Sequence, residues 1–447
     1  MKKSILRIII FTLAIASFPL LPQAQSTYKF SLSDARDFAY EHNYDLINSG
    51  KDIEIARKQV TEYLSYGFPQ INASLLFNNF IALPTFIVPE GSFGPDSPEQ
   101  EVQFGTKYNA SGEIVANQLI LDGRYFLGIQ ASRKLLDRTE KEYLKSQLDI
   151  KEEVAKAYYT VLVTRENNKI LDTTLIKVSR LVEETKILFE SGFAEDTDVD
   201  QLKLIAADLE ATSIYSHNQM EIAYNFLKYL LGLQLQDSVV LLNDFNQMLL
   251  EVNHFALMNE VFDYNENINY QIIMAQEQLA VSKLKVERTE YYPSISAFLS
   301  YQTMAQRNKF DIFGDGRWYP TAVWGLEMKI PILSSGYRSS RVQAARLNLE
   351  KVKTASEQLK AGLTIKVQTA KSEFNNAYLL KLNKQKSMEA AEKIYIKTAI
   401  KYREGMSTSL DLLQAHNQFL SNESEYMLTI LAMMNAKLTL EKLLTTF

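Results

Sequence analysis

The chain contains no cysteine. That excludes disulfides, thiolate metal sites, a thiol nucleophile and a lipid anchor on an N-terminal cysteine. Its four histidines, His42, His217, His254 and His416, stand far apart without ligand spacing and read as solvated or packed helical residues. Proline is scarce: all ten lie near the N-terminus or between the long helical patterns, which run unbroken. Beyond the first 21 residues no apolar run reaches the roughly 18 residues a membrane-spanning helix needs. A chain of this kind that crosses a membrane must therefore do so with strands. Charge is modest too, -5 for 447 residues. Without Lys2, Lys3 and Arg7 it falls to about -8, which argues against a nucleic-acid partner.

Those three basic residues precede an apolar run from Ile8 to Leu21, followed by Pro22, Gln23 and Ala24. This is the pattern of a secretory signal peptide, read here as residues 1–24, with the mature chain starting near Gln25. The remainder is duplicated. YREGMSTSLDLLQ (402–414) returns, altered, as FESGFAEDTDVDQ (189–201), aligning Tyr402 with Phe189, Gly405 with Gly192, Asp411 with Asp198 and Gln414 with Gln201 at an offset of 213. Each copy reads as a sharp turn between two long helices. The glycine suits the left-handed residue that ends one helix. Thr408 with Asp411 fits a capping box for the next, and Asp196 or Thr197 is the expected cap in the first copy. The repeats are placed at 25–240 and 241–447.

Each repeat changes period once. Ile71, Ala73, Leu75 and Phe77 alternate with Gln70, Asn72, Ser74 and Asn78; Ile295, Ala297, Leu299 and Tyr301 alternate with Ser294, Ser296, Ser300 and Gln302. Period two predicts strands with one apolar and one polar face. Four are expected, at about 69–82, 102–121, 293–305 and 318–332, the last carrying Trp324, Leu326 and Glu327. The second and fourth fall out of phase by one residue, so a bulge is expected in one of them. Between the first two strands, residues 84–100 hold four prolines and two glycines and form a loop.

The helical patterns are long. From Gly123 to Glu190 apolar residues recur in heptads, among them Leu136, Tyr143, Ile150, Ala157, Leu171 and Val178. A matching 68-residue stretch ends at Arg403, and shorter ones precede each strand pair: about 46–66, 254–266 and 268–291. At 1.5 Å per residue each long helix would span about 100 Å. A compact globule has no use for such a helix, whereas two shorter helices stacked end to end nearly match it. The helices after the turns are expected at 195–231 and 408–444.

A signal, two copies of helix-helix-strand-strand-long helix-helix, and the turn motif in each copy together resemble the TolC family of outer-membrane efflux proteins. The segments IPILSSGYRSSR (330–341) and QLILDGR (118–124) carry the resemblance where strand passes into long helix. The fold it implies is an α+β membrane protein, internally duplicated. Its trimer closes a 12-stranded outer-membrane β-barrel, continued by a long periplasmic α-helical coiled-coil barrel. Four strands are too few for a barrel, while three chains supply an even number in the bacterial range.

The implied partners are a homotrimer, outer-membrane lipid, a periplasmic adaptor and an inner-membrane pump, with no cofactor and no catalytic residue. The implied function is passive exit for a tripartite efflux or type I secretion system. The implied periplasmic gate comprises Asp411, Asp198, Tyr402, Gln414, Gln201, Glu195 and Asp196, with Tyr402 bonded to Asp198 and with Gly192 and Gly405 in adaptor-contact turns. Gln414 stands where some members have a second aspartate and Ser407 where some have an arginine. For Asp411 the competing reading is plain helix capping. The contrasting function is a structural, adhesin-like coiled-coil envelope protein, which shares the signal and heptads but has no reason to carry amphipathic strand hairpins.

Overall fold

A computed structural model describes residues 27–92, 94, 98–250 and 252–444. The expected signal peptide lies outside them. In chain order the elements begin with β1 (Thr27–Phe30), α1 (Leu32–His42), α2 (Tyr44–Ser65), β2 (Gln70–Asn79), β3 (Thr85–Val88), β4 (Gln100–Gln103) and β5 (Tyr108–Leu121). The 68-residue α3 (Gly123–Glu190), α4 (Asp196–Leu231), β6 (Ser238–Leu241), α5 (Phe245–Leu250), α6 (His254–Asn259) and α7 (Ile268–Arg288) follow. Then come β7 (Ser294–Arg307), β8 (Tyr319–Lys329), the 67-residue α8 (Tyr337–Arg403) and α9 (Ser409–Leu444). Among the described residues no helix is long and apolar enough to cross a membrane.

The compact units do not follow the sequence repeats. One unit comprises residues up to 47, 146–262 and from 366 on; the other comprises 48–145 and 263–365. Each repeat contributes to both, because α3 and α8 run through both units.

The unit holding 48–145 and 263–365 contains a four-stranded antiparallel sheet in the order β2-β5-β7-β8. All four strands connect to helices at one end of the sheet and to each other through residues 80–107 and 308–318 at the other. The register shifts between Leu119 and Leu121, leaving Ile120 as the extra residue and bringing Leu121 opposite Ile295. The bulge is thus in β5. The alternation expected to continue from Gln103 is interrupted: Gly105 takes φ 117, open to glycine alone, and β4 pairs back on β3 in a separate hairpin.

The other unit contains a parallel pair, β1 with β6, which sets the start of the first repeat beside its end and which the sequence did not suggest. Buried Tyr158 fixes it, bonding the Phe30 carbonyl at 3.1 Å and Asn243 Oδ1 at 2.8 Å. Glu152 is buried and compensated by Lys156 and Lys442, each at 2.6 Å, and by Thr439. The helix expected over 254–266 stops at Asn259. Asn267 then caps α7 by accepting from the Asn269 amide.

Candidate channel wall and hairpin gate

Directly opposed residues in an antiparallel sheet share a face, so register decides which side chains stand together. Ala73, Ile114 and Tyr301 are in register, as are Ala116, Leu299 and Trp324, and Ala297 and Leu326. This face carries the large apolar side chains and is bare: Leu75 is 91% exposed and Trp324 76%. The opposite face aligns Ser74, Glu113 and Gln302, and Ser296 with Glu327. On it Ser300 donates to Glu113 at 2.9 Å. It is not wholly polar. Phe298 lies across Gly325, where a Cβ would meet the ring at 2.8 Å, so the glycine lets the aromatic lie flat on the wall.

Exposed aromatics gather at both ends of the sheet. Tyr66, Phe68, Phe126, Tyr291, Tyr292 and Tyr337 lie near the helix end, and Phe86, Phe104, Phe310, Phe313, Trp318 and Tyr319 near the loop end. Two aromatic girdles flanking an apolar band are what two membrane interfaces require of a barrel.

The repeated turns lie in the other unit and are built alike. The Phe193 amide donates to the Leu188 carbonyl and the Met406 amide to the Lys401 carbonyl, both at 2.8 Å, with Gly192 at φ 79 and Gly405 at φ 72. This is the six-to-one bond of a Schellman motif. The apolar residue after each glycine usually folds back on its helix. Here Phe193 is 83% exposed and Met406 70%.

Each following helix begins with a carboxylate turned back on its own N-terminus. Asp411 Oδ2 accepts from the Thr408 amide at 3.0 Å, the Thr408 hydroxyl at 2.8 Å and the Ser407 hydroxyl at 3.2 Å. The Thr408 amide, the Thr408 hydroxyl and the Ser407 hydroxyl hold its pKa below the ordinary carboxylate range. In the first copy the cap is Glu195, not Asp196 or Thr197, and Asp198 accepts from the Glu195 amide at 3.1 Å. With its carboxylate folded back, Asp198 does not receive Tyr402. That hydroxyl lies 3.4 Å from Thr185 Oγ1, and burial raises its pKa. Gln201 and Gln414 also part company: the Gln201 carbonyl oxygen is buried without a partner, while Gln414 is exposed.

The hairpins meet through an apolar seam that includes Leu181, Leu202, Ile205, Leu209 and Leu412. Near the turns Arg403 of the second hairpin reaches Glu184 of the first at 3.4 Å. Tyr402, Arg403, Thr185 and Glu184 border a cleft of about 350 Å³. Among the described residues no cluster of three or more His, Asp or Glu side chains is placed to hold a metal ion.

A model of the outer membrane efflux protein family matches residues 271–446. The outer membrane protein TolC of Vibrio cholerae is 21% identical over 425 residues, covering 92% of this chain and 91% of that protein. Among solved structures, Vibrio cholerae VceC superposes with a TM-score of 0.67 at 14% identity, covering 92% of this chain and 95% of that one. The Campylobacter jejuni CmeC outer membrane channel gives 0.69 at 16% identity, covering 92% and 85%. The family model thus covers the second part of the chain, and the fold over nearly the whole chain is that of these outer-membrane channels. The chain is an outer-membrane efflux channel that extends into the periplasm, and not an enzyme.

Two titratable groups lie on the buried face of α9: His416, which the sequence reading took only as a solvated or packed helical residue, and Glu423, which it did not single out. His416 is 1% exposed with both ring nitrogens unpartnered, packed by Tyr395 and with Asp208 the nearest charge influencing it; burial pushes its pKa down to about 4. Glu423 is 5% exposed, and burial, reinforced by Glu392, pushes its pKa up to about 7. Neither lies in a recognisable motif. Their only sequence signal is the seven-residue spacing that puts both on one helix face.

The assignment of faces is directly testable in a cysteine-free channel. A water-soluble thiol reagent acting on protein in lipid is expected to modify Ser296→Cys and Ser300→Cys far faster than Leu299→Cys. Equal rates for the three would overturn it.

Proposed function

We propose that three copies of the chain close a 12-stranded barrel and act as the passive exit duct of a tripartite efflux or type I secretion system. The observation that carries this is the sheet itself. It has four strands, its apolar face is bare, and β2 and β8 each pair on one side only. Lipid cannot satisfy an open edge, so β8 of one copy must pair with β2 of the next. Cross-linking in mild detergent is expected to trap three chains, and a stable monomer or dimer overturns the reading.

The hairpin turns suit the docking of a periplasmic adaptor, which in turn recruits an inner-membrane pump. Phe193 and Met406 support this: each turn presents an apolar side chain beside Gly192 or Gly405 with no intrachain cover. The gate is proposed to rest on the seam between hairpins, fastened by Arg403 to Glu184 and Tyr402 to Thr185. Asp411, Asp198, Glu195 and Asp196 then act first as helix caps and, around a threefold axis, as an acidic collar that holds cations.

A further inference from the structure

We propose that the loop end of the sheet holds a phosphate-bearing glycolipid of the outer leaflet, seated on an aromatic platform between Lys107, Arg307 and Lys309. The inference rests on the outer-membrane placement of the sheet, not on the trimer. All four strands join the helices at one end, and the helices extend into the periplasm, so residues 80–107 and 308–318 lie at the outer-leaflet end.

There the apolar face terminates in three rings. Phe77 stacks on Tyr108 with centroids 6.4 Å apart, and Phe310 meets both edge-on, at 5.9 and 5.5 Å. Tyr108 is opposite Arg307 in the register, so both stand on the lipid-facing side at the last row. Lys107 Nζ lies 5.6 Å from the centre of the Tyr108 ring. The Arg307 guanidinium is positioned by backbone alone, donating to the Gln306 carbonyl at 3.0 Å and the Arg317 carbonyl at 2.8 Å. It lies so close to Gly316 that a Cβ there would meet its nitrogen at 2.3 Å. Lys309 precedes Phe310.

None of these three cations forms an ion pair among the described residues. The carboxylates nearest in sequence are Asp311 and Asp315, while Glu90, Glu99 and Glu101 belong to the β3–β4 hairpin, a separate sheet. Rings that take acyl chains and sugar faces, beside cations that form no ion pair among the described residues, match a lipid whose phosphates sit at the interface. A free anion would gain nothing from the rings.

Native mass spectrometry of the purified detergent-solubilised protein tests this with diphosphoryl lipid A, its dephosphorylated form and inorganic phosphate as probes. Lys107→Gln/Arg307→Gln/Lys309→Gln is expected to retain the diphosphorylated lipid at least fivefold less than the parent, with the dephosphorylated lipid bound weakly and equally by both. The exposed single variants Lys107→Gln and Lys309→Gln, which cannot disturb a strand, should each lose about two- to threefold. Equal retention by parent and all variants would overturn the proposal. So would parent binding that ignores the lipid's phosphates, or displacement of the lipid by equimolar inorganic phosphate.

Discussion

Glu423→Gln is expected to stabilise the second hairpin at pH 8 by roughly 3 kcal/mol per chain while changing nothing at pH 4. The carboxyl is buried on α9, facing Glu392 and Tyr395 of α8, with Lys169 and Lys177 of α3 lining the same cleft. With its pKa raised from 4.5 to about 7, its favourable contribution is present below pH 4.5 and is lost as the pH rises through 7. His416, one heptad nearer the turn, has the opposite sign. Its pKa is depressed from 6.5 to about 4, so its contribution is present above pH 6.5 and lost as the pH falls through 4. Because the two arms are of similar size, the parent's unfolding midpoint should vary little between pH 4 and 7.5. Each variant exposes the other arm. Glu423→Gln should gain stability as the pH rises, and His416→Leu should lose it. Helical circular dichroism followed through thermal unfolding at several pH values reads both. A Glu423→Gln protein that tracks the parent at every pH would show that the buried carboxyl is compensated by a cation.

The long helices, the turns and the strand faces were legible because each rests on a local period. Heptads mark α3 and α8, alternation marks β2 and β7, and a glycine with a carboxylate six residues on marks both turns. What escaped depends on distance in sequence. The β1–β6 pair joins residues more than two hundred apart, and nothing in TYKF or SVVL names the partner. The break at Gly105 was hidden because its flanks still alternate, and the bulge at Ile120 was expected from phase but could not be placed without the partner strand. At the repeated turns the motif drew attention to Asp411 and Asp198. Their carboxylates, however, are engaged by their own helix starts. The bonds between hairpins fall to Thr185, Glu184 and Arg403, ordinary helix-surface residues until the second hairpin is packed on the first.

That packing leads to the largest functional effect expected here. Tyr402→Phe combined with Arg403→Ala should raise basal conductance in planar bilayers roughly a hundredfold. The exposed ion pair and the long hydroxyl contact together contribute about 1 kcal/mol per chain. Three copies opening in concert, as in the proposed trimer, give about 3 kcal/mol. The apolar seam around Leu412 and Leu209 is untouched by the double variant, so the protein should remain folded and trimeric, which cross-linking can confirm alongside the electrical recording. Asp411→Asn separates the competing account. Its carboxylate accepts three hydrogen bonds at the start of α9, so the substitution should weaken the cap and lower thermal stability, with basal conductance near that of the parent. If Asp411→Asn alone conducts as strongly as the double variant, repulsion and cation binding in the acidic collar control the closed tip. If instead only the double variant opens, the fastening between hairpins holds it shut, and the proposed adaptor would need only to compete for Tyr402 and Arg403 to open the duct.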